Sequence, residues 1–259
     1  MTRLAVLGSP IGHSKSPLLH VAAYRELGLD WRYEAIEAVG SDLPGLLARD
    51  FRGLSLTMPL KRDVLPLLDW IDPVAELTGG VNTVLVDGLR GYNTDVRGIE
   101  RAFANAGVTA VDSVRILGAG ATAASALVAV SALGATVATV ATRDPRTAAP
   151  LIDLGARLGV SLAVTDLGES SAGESVVINT LPGGVAHGME TGIGVLFEVA
   201  YDPWPSALAR NWTGTVIDGL DMLVEQALVQ VRIFVAGDRE IALPDESRVL
   251  AAMRAAVSR

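Results

Sequence analysis

Short apolar runs alternate with amphipathic stretches along the chain, which is the pattern of an α/β protein. In the first hundred residues, an apolar run predicts a strand at residues 4–7, and the patterns at 31–36 and 54–57 also indicate strands. Helical spacing predicts helices at residues 17–27, 42–49 and 73–77. Residues 82–86 and 89–92 flank Asp87-Gly88, and this dipeptide predicts a hairpin between two further strands.

Residues 116–142 contain no charged side chain, although Arg115 and Arg143 flank them. A segment of that length is long enough to cross a bilayer, but its glycines and its many small residues favour another division. A parallel strand covered on both faces has this composition. We therefore predict, in order, a strand at 114–117, a glycine turn, a helix at 121–133 and a strand at 136–141. Further strands are predicted at 162–165, 175–180, 195–200 and 215–218, with a helix at 147–158.

These elements predict two α/β domains. The first hundred residues form a domain of their own, and the uncharged segment begins a Rossmann-like dinucleotide-binding domain. Two helices follow its last strand, at 222–236 and 245–256, and we expect them to return to the first domain. The predicted boundaries are 1–96 plus 219–259 for a substrate-binding and catalytic domain, and 97–218 for the dinucleotide-binding domain.

Charge and composition exclude several classes of protein. The formal net charge of −8 argues against nucleic acid and anionic membranes as partners. The chain has no cysteine, which excludes disulfides and thiolate metal sites. His13, His20 and His187 lack a metal-site spacing, so we expect no metal. No charged leader with an apolar core and cleavage site opens the sequence, which favours a cytoplasmic protein.

The glycine turn after the strand at 114–117 has the form of a dinucleotide fingerprint. Residues 118–123, GAGATA, match the pattern G-x-G-x-x-A. Gly118 allows the tight turn, Gly120 lets the backbone approach a pyrophosphate, and Ala123 lets helix and strand pack closely. The motif is weak alone, but the predicted strand before it and helix after it are the context it requires.

Polar side chains also collect at predicted strand ends in the first domain. Ser14 and Ser16 lie in a loop held by two glycines and two prolines, which suits a small polar ligand, although a Ser-Pro helix cap is the better explanation of the loop taken alone. Lys61, Asn82 and Asp95 follow or precede other strands. Individually they are explained as a surface charge, a turn residue and a helix cap. Together they predict a binding site.

The chain resembles the shikimate dehydrogenase family over nearly its whole length. The motifs that carry the resemblance, in family order, are GSPIGHSKSP (8–17), SLTMPLK (55–61), GGVNTV (79–84), GYNTD (91–95), GAGATA (118–123), YDPWPSAL (201–208) and GLDMLVEQA (219–227). The resemblance implies NADP-linked interconversion of 3-dehydroshikimate and shikimate, a step of aromatic amino-acid biosynthesis. It implies a small-molecule partner, and a homodimer is compatible with the sequence.

The resemblance also implies roles for individual residues. It places the substrate carboxylate at Ser14 and Ser16 and makes Lys61 and Asp95 the catalytic pair. Around the rest of the substrate it implies Ser55, Thr57, Asn82, Tyr201 and Gln226. Around the cofactor it implies Gly118, Ala119, Gly120, Ala121, Thr142, Arg143, Thr180 and Gly219. His13 adjoins the serines, where it either contacts substrate or shapes the loop.

The residues after the strand at 136–141 favour NADP over NAD. NAD enzymes commonly place an acidic residue here for the ribose 2′-hydroxyl, whereas this chain has Thr142 and Arg143. A guanidinium can pair with a 2′-phosphate. Asp144 complicates this interpretation, because its carboxylate is near enough in sequence to approach the ribose instead.

Three departures from the family pattern leave the substrate range open. Ser55 stands where many members have asparagine, Ala121 where glycine is common, and Glu198-Val199 where Asp-Met is more usual. A paralogue that accepts quinate is therefore an alternative. A nucleotide-sensing protein and a methyltransferase are further alternatives. The presence of both Lys61 and Asp95 argues against the first, and Thr142-Arg143 argues against the second.

Overall fold

The computed structural model of the chain describes residues 1–169, 173–183 and 192–258. His187 lies outside the described residues. The chain divides into two compact units, Met1–Thr94 with Leu223–Arg259, and Asp95–Met222. The predicted boundaries, at 96/97 and 218/219, lie a few residues from these limits.

The first unit is built on a mixed sheet. Its strands are β1 Thr2–Gly8, β2 Trp31–Glu37, β3 Gly53–Leu56, β4 Trp70–Ile71, β5 Thr83–Leu85 and β6 Arg90–Tyr92. The helices in this part of the chain are α1 Ser16–Glu26, α2 Leu43–Leu47, α3 Leu60–Asp63 and α4 Pro73–Thr78. The strands lie in the order β2-β1-β3-β5-β6-β4. β1 is parallel to β2 and β3, whereas β5 is antiparallel to β3 and β6.

Local sequence explains these elements. The apolar residues of β1, Leu4 to Leu7, are all buried, as expected for a strand in the middle of a sheet. α4 begins after Asp72, whose carboxylate accepts hydrogen bonds from the backbone N–H groups of Val74 and Ala75. It ends at Gly79, which has the left-handed conformation (φ 63°) that favours glycine.

The second unit contains a parallel sheet. Its strands are β7 Ser113–Leu117, β8 Val137–Thr142, β9 Ser161–Asp166, β10 Val176–Asn179, β11 Ile193–Glu198 and β12 Thr213–Asp218. Its helices are α5 Asp95–Asn105, α6 Ala121–Ala132, α7 Ala149–Leu158 and α8 Ala207–Arg210. The strand order β12-β11-β10-β7-β8-β9 is that of the dinucleotide-binding fold, and it reverses between β7 and β10. Ligands of such sheets bind at the carboxyl ends of the strands beside that reversal.

The uncharged segment is thus divided between β7, α6 and β8 as predicted. Among the described residues, no helix is both long and apolar enough to cross a membrane.

The chain then returns to the first unit through α9 Gly219–Ala236 and α10 Glu246–Val257. α9 packs against β3 at Gly53, where an added Cβ would lie 2.3 Å from Cε1 of Phe234. α10 packs along α1, and the ion pair between Arg248 and Glu26 joins these two helices at 2.7 Å. Because no side chain larger than hydrogen fits at Gly53, α9 is part of the core of this unit.

Candidate active site

One edge of the first sheet collects the polar residues predicted for the substrate. β1, β3 and β6 all end at this edge, and β5 begins there, because β5 runs antiparallel to β3 and β6. The serine loop follows β1, Thr57 follows β3, and Asn82 precedes β5. Asn93 and Thr94 follow β6, and Asp95 then opens α5. The expectation that these residues follow or precede strands is confirmed.

Backbone hydrogen bonds join the ends of β1 and β3. The backbone N–H of Thr57 donates to the carbonyl of Leu7 at 2.9 Å, and that of Ser9 donates to the carbonyl of Met58 at 2.9 Å. A Cβ added to Gly8 would lie 2.3 Å from Cγ2 of Thr57. Gly8 therefore lets the loop after β3 pack directly on the start of the serine loop.

The serine loop has an internal hydrogen-bond pattern that fixes its shape. Glu37 accepts hydrogen bonds from the Ser9 hydroxyl at 2.5 Å and from the Ile11 N–H at 3.0 Å. The Ser14 hydroxyl oxygen accepts from the N–H of Ser16 at 3.3 Å. α1 begins at Ser16 and its N-cap residue is Lys15, whose side chain makes no capping hydrogen bond, so Ser16 itself does not act as the helix cap. Ser14 is partly exposed, whereas Ser16 is buried.

Asn82 is the centre of a buried cluster at the same edge. Its Oδ1 accepts from the N–H of Thr94 at 2.9 Å, and its Nδ2 donates to the hydroxyl of Thr94 at 2.9 Å. Nδ2 also lies 3.3 Å from Oε1 of Gln226, which comes from α9. The structure thus joins Asn82 and Gln226, which are 144 residues apart in the chain. Thr94 is a contact that sequence reasoning missed, although it adjoins Asp95 in the GYNTD motif.

Lys61 and Asp95 belong to different units. Lys61 lies on α3 in the first unit, and its backbone carbonyl accepts from the N–H of Val81 at 2.8 Å, next to Asn82. Its side chain is partly exposed. Asp95 is the first residue of α5 in the second unit and is buried. The proposed pairing of these two side chains remains a prediction.

Ser55 is part of the interior of the first unit. Its side chain is only 3% exposed. The hydroxyl accepts a hydrogen bond from the Tyr33 hydroxyl at 2.6 Å and donates one to Oε1 of Gln230 at 2.8 Å. Ser55 therefore has two partners within the protein, and the resemblance alone supports a direct contact with substrate.

Ser55 belongs to what we call the interior network. It consists of the side chains of His20, Tyr24, Tyr33, Ser55, Thr83 and Gln230. His20 is fully buried and stacks on the ring of Tyr33 with centroids 4.0 Å apart. Burial lowers the pKa of His20 to about 3, and a hydrogen bond to Gln230 opposes that shift only in part. Burial likewise raises the pKa of Tyr24 and Tyr33, so all three rings are neutral near pH 7.

In the second unit, the predicted glycine turn lies at the point where the strand order reverses. Gly118 has φ 101°, and an added Cβ would lie 2.7 Å from the hydroxyl oxygen of Thr180, which follows β10. The Thr180 hydroxyl donates to the carbonyl of Leu117 at 2.8 Å. Gly120 is the N-cap of α6, and a Cβ there would meet no atom within 4 Å. The turn between Ala119 and Ala121 thus leaves open space at a helix N-terminus, which fits a pyrophosphate.

After β8, Asp144 forms an ion pair with Arg146 in the same turn. Both carboxylate oxygens of Asp144 contact the guanidinium of Arg146 at 2.9 Å, and Asp144 Oδ1 also accepts from the Arg146 N–H. These hydrogen bonds lower the pKa of Asp144. Asp144 therefore has a cationic partner of its own, while Arg143 is exposed beside it. Arg146 is a second exposed guanidinium in the same turn, and sequence reasoning missed its contact with Asp144. Its position two residues after Asp144 was the available signal for that contact.

The unusual Glu198 has a structural role. It is buried and accepts hydrogen bonds from Nδ2 of Asn179 at 2.9 Å and from the Ser206 hydroxyl at 2.6 Å. Burial raises its pKa. Nearby, a Cβ at Gly219 would lie 2.1 Å from the carbonyl oxygen of Val199, so only glycine fits at the start of α9. Tyr201, which follows β11, is partly exposed in this region of the second unit.

Among the described residues, no three His, Asp or Glu side chains form a cluster that could hold a metal ion. Of the histidines, His13 is exposed in the serine loop and His20 belongs to the interior network.

Comparison with known proteins identifies the family. The sequence profile described as "Shikimate dehydrogenase substrate binding domain" matches residues 6–84. A protein of Thermus thermophilus named "Shikimate dehydrogenase (NADP(+))" is 46% identical over 125 residues, which span 46% of this chain and 48% of that protein. A protein of the same name from Methanococcoides burtonii is 34% identical over 249 residues, covering 89% of this chain and 91% of its own length.

A solved structure is also similar. The shikimate 5-dehydrogenase of Thermus thermophilus in complex with NADP(H) and shikimate has a TM-score of 0.82 and 31% identity, covering 99% of this chain and 100% of that one. These similarities confirm the predicted α/β fold, with an N-terminal substrate domain and a Rossmann-like domain. They also confirm the predicted resemblance, and this chain belongs to the shikimate dehydrogenase family.

Proposed function

We propose that this chain is an NADP-dependent oxidoreductase that interconverts 3-dehydroshikimate and shikimate. The observation that carries the proposal is the edge of the first sheet, where Asn82, Thr94 and Gln226 are joined by hydrogen bonds beside the serine loop. A polyhydroxylated ring needs several fixed donors and acceptors, and this edge supplies them from four separate chain segments. Relatives across most of the chain bear the name of this activity.

The substrate is bound through its carboxylate and its ring hydroxyls. Ser14 and Ser16 would donate hydrogen bonds to the carboxylate. Glu37 fixes the first part of the loop that carries them. Thr57, Asn82 and Gln226 would contact the ring hydroxyls. Ser55 and Tyr201 are assigned to the substrate on the resemblance to the family.

When bound, NADPH would supply the hydride for the ketone, and NADP⁺ would accept it in the reverse direction. The protein must then give a proton to the carbonyl oxygen, or take one from the hydroxyl. Lys61 would exchange this proton, and Asp95 would orient the ammonium group. Neither role requires a metal or a histidine at the reacting atoms.

The second unit would hold NADP at the carboxyl ends of its strands. The turn from Gly118 through Ala119, Gly120 and Ala121 suits the pyrophosphate, because its backbone is open at the N-terminus of α6. Arg143 would pair with the 2′-phosphate, with Thr142 next to it. Thr180 and Gly219, at the ends of β10 and β12, would flank the nicotinamide half.

The remaining predictions are part of the same proposal. The enzyme would act in the cytoplasm, as a homodimer or a monomer, with no nucleic acid as partner. The second candidate function is a related dehydrogenase that also accepts quinate, because Ser55 replaces an amide side chain that many members carry.

The proposal is tested by incubating the purified protein with shikimate and NADP⁺ and following absorbance at 340 nm. We expect turnover with NADP⁺ to exceed turnover with NAD⁺ at equal concentration. Quinate is the matched comparison substrate, and faster turnover of quinate would favour the second candidate. Absence of reduction with either substrate would refute the proposal.

A further inference from the structure

The interior network connects the core of the first unit to the residue that we assign to the ring hydroxyls. Nε2 of Gln230 donates to the backbone carbonyl of Asn82 at 3.2 Å and to the Thr83 hydroxyl at 3.0 Å. The Thr83 hydroxyl in turn donates to Oδ1 of Asn82 at 2.9 Å. Gln230 and Thr83 are both buried. Neither residue was predicted as part of the site.

The direction of every hydrogen bond in this network follows from one backbone group. The Asn82 carbonyl can only accept, so the amide nitrogen of Gln230 must face it and the amide oxygen must face the other way. That oxygen accepts from Ser55, and it lies 3.1 Å from Nε2 of His20. Nε2 must therefore carry the histidine proton. Nδ1 is then the acceptor, 3.0 Å from the Tyr24 hydroxyl.

A second backbone group fixes the other end. The N–H of Thr94 can only donate, so Oδ1 of Asn82 must face it at 2.9 Å. The Thr83 hydroxyl uses its oxygen to accept from Gln230, which leaves its proton for the same Oδ1. The carboxamide of Asn82 is thus held in one of its two flip states, with Nδ2 towards Thr94 Oγ1 and Gln226.

We propose that the interior network positions the Asn82 carboxamide for a substrate hydroxyl, with Thr83 and Gln230 as positioning residues. The proposal rests on the function proposed above, since it assumes that Asn82 contacts the substrate. It also gives Ser55 a role that needs no contact with substrate. Ser55 orients the Gln230 amide, which orients the Thr83 hydroxyl, which orients Asn82.

The decisive variant is Thr83→Val, which keeps the shape of the side chain and removes the hydroxyl. Loss of one hydrogen bond that holds Asn82 should raise the KM for shikimate about five- to tenfold. The KM for NADP⁺ should stay within about twofold, and Thr83→Ser should restore the KM for shikimate. Thr139→Val, the same change at a buried position of β8 in the second unit, is the matched control.

A purely structural role for Thr83 predicts a different result. Thr83→Val would then lower the melting temperature while both KM values stayed unchanged, and this outcome would overturn the proposal. If Thr83→Val does not fold, Gln230→Glu replaces it, because that change exchanges one nitrogen for oxygen. At about pH 9 the new carboxylate accepts the Thr83 proton and takes it from Asn82, so the same rise in KM is expected. An unchanged KM would again overturn the proposal.

The direction of the network is tested separately on the wild-type protein by ¹⁵N nuclear magnetic resonance of the histidine side chains. The expected signature of His20 is the neutral tautomer protonated at Nε2. The opposite tautomer would overturn the directed network even in an active enzyme. If the wild-type protein fails to oxidise shikimate while His20 has the expected tautomer, the proposed function fails and the hydrogen-bond assignment stands.

Discussion

Acid should destabilise the first unit through His20. In the folded protein the pKa of this imidazole is about 3, against an ordinary value of 6.5 in the unfolded chain. Between these two values the unfolded chain binds a proton and the folded chain does not. The stability contributed by neutral His20 is therefore complete above pH 6.5 and is lost as the pH falls towards 3.

The size of the effect follows from this difference. Each pH unit in that interval costs about 1.4 kcal/mol, so lowering the pH from 7 to 5 should remove about 2 kcal/mol of unfolding free energy. The result hardly depends on the folded pKa provided that it lies well below 5. His20→Gln, which cannot take up a proton, should lose this part of the pH dependence while other groups contribute equally to both proteins.

The assay is urea unfolding at pH 7 and pH 5. Unfolding is monitored by hydrogen exchange in the peptides that contain β1, because these peptides report on the first unit. The quantity compared is the fall in unfolding free energy for the wild type minus the fall for His20→Gln. His13→Gln, which removes an exposed imidazole of the same unit, is the control. An equal fall in the wild type and His20→Gln would show that His20 is not buried as a neutral ring.

Three predictions concern catalysis and binding. Lys61→Ala should lower kcat by roughly 10²–10⁴-fold in steady-state kinetics. The double variant with Asp95→Asn should lose far less kcat than the product of the two single losses. A Lys61→Ala enzyme with a kcat within threefold of wild type would refute the catalytic pair. Ser16→Ala should raise the KM for shikimate roughly tenfold or more and leave that for NADP⁺ unchanged, whereas a lower melting temperature alone would contradict carboxylate binding. Arg143→Ala should weaken NADP⁺ roughly tenfold or more by fluorescence titration and leave NAD⁺ nearly unchanged, while equal weakening would argue against a phosphate contact.

The apolar pattern was sufficient to predict the parallel sheet of the second unit. Its central strands are largely buried and contain short apolar runs, such as Ile116-Leu117 in β7 and Val140-Ala141 in β8. β4, α3 and α8 were missed because two to four residues are too few to show a period. The position of such short elements depends on packing against neighbouring elements, which the local sequence pattern does not show.

The site was predictable where it depends on local sequence and not where it depends on distant contacts. Motifs found the polar residues at the strand ends, since each motif is continuous in the chain. Nothing in the sequence signals that His20 meets Gln230, 210 residues away, or that Ser55 is buried between Tyr33 and Gln230. Burial of a hydroxyl is decided by the packing of α9, which a linear pattern does not contain.

The assembly of the first unit from both ends of the chain has a consequence for synthesis on the ribosome. The second unit is continuous and can fold as soon as it emerges, whereas β3 waits for Phe234 to cover Gly53. At about 5–20 residues per second, that wait lasts roughly ten to forty seconds. During this time the face of β3 that carries Gly53 and Ser55 lacks the cover that α9 gives it in the folded protein. The part of the protein that is translated first is thus completed last.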